Sequence, residues 1–210
     1  MPSTTPERLM YRWRRMTATQ REHVLASRKQ ERLPWHSPPH YISDTGFYLI
    51  TAACYEHRPV IGHSCERMTN FESRLLGTIR EYAQAIFAWT VLPNHYHVLT
   101  QTSQARRMLL QLGQLHGRMS YLWNGEERSR GRKVWCNAAE TAMKSERHYW
   151  ATLLYVLHNA VRHGYVQRWQ DWPYSNAAQW LDTIGHDRAQ RLWREHPIDE
   201  YGAEWDPPEL

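Results

Sequence analysis

The chain has 210 residues, a formal net charge of +5 and a sequence pI near 9.2, and 41% of it is hydrophobic. That length supports one domain with a substantial core and a small appendage. No window approaches a membrane-spanning run, the amino terminus lacks a secretory apolar stretch, and Cys54, Cys65 and Cys136 fit neither a CxxC site nor a disulfide framework, so the expectation is a soluble cytoplasmic protein with reduced thiols.

The first predicted element, Pro6 to Arg32, reads as a basic helical appendage. Residues 1–32 carry eight Lys or Arg, including Arg12, Arg14 and Arg15, against three Glu. Pro34-Trp35-His36-Ser37-Pro38-Pro39 then makes a stiff, non-helical connector, so residues 1–40 are set apart from a main domain over 41–181. Within that domain, Phe47 to Ala53 is predicted as a strand, and Phe71, Leu75, Leu76 and Ile79 give residues 67–83 a helical period. Ala85 to Leu92 and His95 to Thr100 are two short β runs separated only by Pro93-Asn94, which predicts a hairpin. Met108, Leu109, Leu112, Leu115, Met119 and Leu122 mark a second helix, followed by a basic loop containing Arg130, Arg132 and Lys133. Val134-Trp135-Cys136 reads as a short last strand, and a third helix runs from about Ser145 to His163. The order β-α-β-β-α-β predicts an α+β fold with a ferredoxin-like split βαβ antiparallel sheet, plus the added carboxy-terminal helix. Residues 182–210 hold eight Asp or Glu against three Arg and read as an acidic tail that restrains whatever the basic surface binds.

Two features carry chemistry. In a strand, side chains alternate, so His95 and His97 share one face roughly 6.7 Å apart at the backbone while Tyr96 points to the other, towards the core. Two imidazoles so placed can converge on one ion, although on spacing alone a polar strand face is the commoner outcome. On the third helix, Trp150, Leu153, Leu154, Leu157 and Val161 form an apolar face, and His148, Thr152, Tyr155, Asn159 and Arg162 form a polar stripe. Tyr155 and Asn159 stand one above the other, roughly 6 Å apart along the axis. If both face the ion site, a hydroxyl nucleophile and an amide oxygen meet two imidazoles.

These residues carry a resemblance. Pro93-Asn94-His95-Tyr96-His97, with Tyr155-Val156-Leu157-His158-Asn159-Ala160-Val161-Arg162-His163-Gly164 some sixty residues later, resembles the REP-associated tyrosine transposases, one-tyrosine HUH endonucleases of the IS200/IS605-like superfamily. Phe47-Tyr48-Leu49-Ile50-Thr51, Arg58-Pro59, Val134-Trp135 and Asp171-Trp172-Pro173-Tyr174-Ser175 agree in order and spacing, so the resemblance spans roughly residues 45 to 180. It implies a metal pair at His95 and His97, a nucleophile at Tyr155, and a completing amide at Asn159. Family members commonly read Asn-Pro-Val-Arg-Ala-Gly where this chain has Asn159-Ala160-Val161-Arg162-His163-Gly164, a departure that bears on the aim of Asn159.

The implied activity is single-strand DNA cleavage and strand transfer at hairpin-forming repeats through a 5′-phosphotyrosine, with Mg²⁺ or Mn²⁺ as cofactor and a monomer or dimer as the working unit. Arg162 would offset developing charge, and Arg12, Arg14, Arg15, Arg130, Arg132 and Lys133 are candidate DNA contacts because cations interleave with aromatic rings there. His148, His158 and His163 read as surface or capping residues. The rival class is a DNA-binding protein that keeps the fold without the chemistry. A zinc hydrolase is weaker, because no carboxylate lies near the histidine pair in sequence.

Overall fold

The structure, a computed structural model, describes residues 17, 19, 20, 23, 46–198, 201, 202 and 206. The chain divides into two compact units, 1–40 and 41–210. In the first, Thr17 and Gln20 exchange side-chain to backbone hydrogen bonds, a reciprocal cap that marks a helix start inside the stretch read from sequence as one helix. Arg12, Arg14 and Arg15 lie outside the described residues.

In the second unit, runs rich in β-branched and aromatic residues build β1 (Phe47–Ala53), β2 (Ala85–Val91) and β3 (His95–Gln101), and a short fourth strand, β4 (Ala139–Ala142), pairs with β1. They form one antiparallel sheet in the order β2-β3-β1-β4, the expected split βαβ arrangement. Between β1 and β2 runs α1 (Cys65–Arg80), whose first turn is capped by the Ser64 hydroxyl; between β3 and β4 runs α2 (Ala105–Glu126). Their apolar stripes, Phe71, Leu75 and Ile79 with Met108, Leu112, Leu115 and Met119, cover the sheet face that carries Tyr48, Ile50, Tyr96 and Val98. Tyr96 is thus in the core, as alternation requires.

The last strand differs from expectation. Val134-Trp135-Cys136 makes only an isolated bridge, Trp135 to Cys54, and the fourth strand begins at Ala139. The Trp135 ring is drawn into the core, stacked on His116 with centroids 4.1 Å apart, and a three-residue apolar run cannot distinguish such burial from pairing.

The other sheet face, with Leu49, Ala88 and Leu99, is covered by α3 (Glu146–Arg162). The expected apolar residues Leu153, Leu154 and Leu157 are buried, yet Thr152, Tyr155 and Asn159 of the polar stripe are equally buried. The helix is enclosed rather than half solvated. Part of the cover comes from the acidic stretch, which is not simply a tail. It begins inside α4 (Ala177–Ile184), and α5 (His186–Glu195) buries Ala189 and Leu192 and stacks Trp193 on Trp169. The charge count concealed an amphipathic helix. Asp171 to Ser175 covers the free edge of β2: Val91 N–H donates to Tyr174 O, and Trp172 Nε1–H donates to Val91 O.

Two devices fix the ends of this frame. The Pro93-Asn94 turn is clamped by the loop after β1, where Cys54 N–H donates to Asn94 O (2.6 Å) and Gly62 N–H to Pro93 O (3.0 Å). A Cβ on Gly62 would come 2.4 Å from Pro93 Cβ, so only glycine permits this approach. The basic loop is pinned by Glu127, which accepts from Arg132 (2.7 Å) and Arg67 (2.6 Å) and is held at about 2, mainly by Arg132, against burial that pushes it up. Gly62→Ala should lower stability by about 1–3 kcal/mol in denaturant unfolding by overpacking the turn. Because the Glu127 carboxyl is depressed on folding, its contribution is present above its ordinary range near 4.5 and is lost as pH falls towards 2. Glu127→Gln should therefore cost about 1 kcal/mol at neutral pH, and the difference from the parent protein should disappear in acid unfolding curves.

Candidate active site

The turn clamp delivers β3 with His95 and His97 side by side on the α3 face, ring centroids 5.0 Å apart and both 2% exposed. Asn94 sets the chemistry of the first. Its Nδ2 donates to His57 O (3.2 Å), which leaves Oδ1 to accept from His95 Nδ1–H (2.7 Å). His95 Nε2 is then a bare lone pair pointing at α3. Burial first, and then His97, push the His95 imidazole down to about 3, so it is neutral.

Facing it, Asn159 donates through Nδ2 to Asp206 (2.9 Å), so its Oδ1 is turned to His95 Nε2 at 3.1 Å. Two acceptors in contact, both buried and with no proton between them, form an arrangement that a cation satisfies. His95, His97 and Asp206 present ligand atoms within 4.8 Å of one another, so the cluster can hold a metal ion. Two imidazole nitrogens, an amide oxygen and a carboxylate suit a divalent ion that accepts mixed nitrogen and oxygen ligands. The donor set therefore fits the metal that the sequence resemblance implies. With Ala160 after it, Asn159 stands on a regular helix and is aimed at the pair.

Tyr155 completes the cluster. Its hydroxyl lies 3.4 Å from His97 Nε2 and donates to the Asp206 carboxylate. Burial, reinforced by the Asp206 charge, pushes the phenol far above its ordinary value. The carboxyl itself would be raised by burial, but hydrogen bonds from His163 and His97 hold it well below the usual carboxylate range. The guanidinium of Arg162 lies over the Tyr155 ring, 6.0 Å from its centroid, and Nε donates to the Asp206 carbonyl (3.2 Å).

Two of these residues were missed by sequence reasoning. His163 is the C-cap of α3, as the capping expectation had it, but its side chain is only 1% exposed and places Nε2 3.2 Å from Asp206, a site contact that expectation did not include. The step of four from Asn159 to His163 puts both on one helix face, a signal that was available. Asp206 lies outside every motif, and no local pattern marks it. The fold supplies the carboxylate that the neighbourhood of His95 lacks.

The remaining candidates are dispersed. The Arg130 guanidinium lies 4.1 Å from the centroid of the exposed Tyr121 ring, Lys133 sits 4.6 Å over Tyr55, and Arg132 is committed to Glu127 and Asn124. His158 packs edge-on to Trp193, and His148 touches Tyr201. No described helix is long and apolar enough to cross a membrane.

No protein-family profile and no curated protein matches the chain. Among solved structures it is similar to a REP-associated tyrosine transposase bound to a REP hairpin, at 20% identity and a TM-score of 0.49, over 76% of this chain and 87% of that one. At that identity and score the likeness carries no conclusion about chemistry.

Proposed function

We propose that the protein is a metal-dependent single-strand DNA endonuclease and strand transferase that acts on hairpin-forming repeats of the REP type through a 5′-phosphotyrosine. The observation that carries this reading is the convergence of the Tyr155 hydroxyl, the His95 and His97 nitrogens and the Asn159 oxygen on one buried point, with the motifs His95-Tyr96-His97 and Tyr155 to Gly164 in the order that class of enzyme uses.

His95 Nε2, His97 Nε2 and Asn159 Oδ1 would hold Mg²⁺ or Mn²⁺, which supplies Lewis-acid polarisation of a phosphoryl oxygen. The protein does the rest. Asn94 fixes the tautomer that leaves His95 free to ligate, and the enclosed helix holds Tyr155 against the pair without a search over rotamers. The Tyr155 oxygen attacks phosphorus, a Tyr–O–P bond forms, the bond from phosphorus to the 3′ oxygen breaks, and the phenolic proton ends on that oxygen. The phosphodiester energy is retained, so another 3′-OH can reverse the step and join new ends. Arg162 beside the ring offsets the charge that gathers on the tyrosine and phosphate oxygens. One nucleophile breaks one strand, which suits hairpin or single-stranded DNA. Arg130, Arg132, Lys133 and the amino-terminal Arg12, Arg14 and Arg15 are assigned to phosphate contacts with the stem.

Asp206 stands where the scissile phosphate would. It accepts the proton of the nucleophile and raises the phenol, the opposite of activation, and with it in place Tyr155 and Asn159 are 0% exposed. DNA reaches the site when Tyr201, Gly202 and Asp206 withdraw, a restraining role in line with the acidic charge of that stretch. The competing reading, a DNA-binding protein without catalysis, draws its support from the same burial of Tyr155.

Incubation with Mn²⁺ or Mg²⁺ and a labelled hairpin carrying a single-stranded extension should yield a covalent protein–DNA band in denaturing electrophoresis, absent in Tyr155→Phe. Binding without a covalent product under either metal would favour the non-catalytic reading. Asp206→Ala should raise the initial rate of that reaction by about tenfold, because the competent state no longer competes with the closed one; a fall in rate would make Asp206 a required ligand instead.

A further inference from the structure

Tyr201, Gly202 and Asp206 lie along the polar stripe of α3. At one end the Tyr201 hydroxyl meets Thr152 Oγ1 and His148 Nε2, the latter at 3.1 Å, and its ring centroid lies 5.1 Å from that of Tyr155. Gly202, at φ +84°, then lays bare backbone on the Tyr155 ring, where a Cβ would come 2.8 Å from Cε2. At the other end Asp206 places an anion among Asn159, His163 and the Tyr155 hydroxyl. In order along the helix lie a planar ring with a polar edge, one glycine whose backbone rests on the Tyr155 ring, and an anion. A nucleotide has the same sequence of parts: base, sugar, phosphate.

The polar end of this bed has a defined pattern. Thr152 Oγ1–H donates to His148 O (2.7 Å), so its oxygen remains to accept a proton from Tyr201. Lys144 N–H donates to His148 Nδ1 (3.2 Å), so His148 Nε2–H is the donor to the same hydroxyl. The wall therefore offers one donor and one acceptor side by side, which an apolar ring would leave unpaired at a cost and which the edge of every nucleobase, with adjacent donor and acceptor groups, can satisfy.

We infer that the stripe His148, Thr152, Tyr155, Asn159 and Arg162 is the bed of a single DNA strand, and that Tyr201 and Asp206 occupy it as built-in stand-ins. An unpaired base lies at the Tyr201 position, read at its edge by His148 and Thr152 and packed against Tyr155. The adjoining phosphate lies at the Asp206 carboxylate, on Asn159 and His163 with Arg162 beside it. This rests on the endonuclease reading and adds to it a base-reading subsite. It also gives the two polar residues at the amino-terminal half of the stripe a role as specificity determinants, with no part in the reaction itself.

The test is equilibrium binding, without metal, of a fluorescent oligothymidylate of about fifteen nucleotides, within the size a single-strand site covers. In the full chain, the double substitution Tyr201→Ala with Asp206→Ala should tighten binding by about tenfold over the parent protein, since the bed no longer competes for its own stand-ins. Adding Thr152→Val, which keeps the side-chain shape, or His148→Ala, on a partly exposed residue, should each remove most of that gain, with thermal unfolding monitored to show that each variant is folded. A strand of equal length made of abasic nucleotides should be indifferent to both added changes. The proposal is overturned if the gain survives Thr152→Val and His148→Ala, if the abasic strand responds as the thymidylate does, or if no variant binds single strands. The covalent Tyr155 product, followed in parallel with a hairpin substrate, separates the two readings: product that forms while binding ignores Thr152 and His148 overturns the bed alone.

Discussion

One amide side chain, Asn94, ties the fold to the site. It sits in the turn between β2 and β3, donates to the loop that follows β1, and accepts from His95 Nδ1. Loop, turn and imidazole tautomer are thereby set by the same group. A histidine whose Nδ1–H is committed exposes its Nε2 lone pair in one direction only, so the geometry of the turn becomes the geometry of a ligand. The clamp that holds the turn, Cys54 N–H on Asn94 O and Gly62 beneath Pro93, acts at one remove on the same nitrogen.

The enclosure of α3 follows from how many layers the chain can place around it. A surface helix would give its stripe to water, but β3 lies on one side and α4, α5, Tyr201, Gly202 and Asp206 contribute cover on the others. Burying a hydroxyl, an amide, three imidazoles and a carboxylate together is unfavourable unless each finds a partner. Here several of them partner one another: Tyr155, Asn159 and His163 all bond Asp206, while the Asn159 oxygen and His95 Nε2 meet as two acceptors that a cation would satisfy. The cluster is closed sterically, and its low dielectric would strengthen the hold on any cation or phosphate it admitted.

That closure sets a phenol directly against a carboxylate. Burial, and then the carboxylate beside it, raise the phenol, so Tyr155 is held protonated. On the function proposed above, exchanging the carboxylate for a phosphodiester would keep the charge balance at Asn159, His163 and Arg162 and deliver the group on which the tyrosine acts; restraint and recognition would then use the same contacts.

Much of this was legible in the sequence. Alternation along Phe47 to Ala53 and His95 to Gln101, and the three-and-four spacing of Phe71 to Ile79 and Met108 to Met119, determined the strands, the helices and which face each would bury, because period alone separates those cases. The pairing of His95 with His97 and of Tyr155 with Asn159 followed from the same two periods. What the sequence left open is whatever depends on contacts between distant segments. Trp135 looked like a strand residue and is a core ring; Leu192 and Trp193 were hidden under a count of acidic residues; His163 needed a partner across the site to show its role. Asp206 is the extreme case. Nothing in its neighbours distinguishes it from any other acidic residue, and only tertiary structure, by laying Tyr201 and Gly202 along α3, brings that one carboxylate 47 residues back to the amide of Asn159.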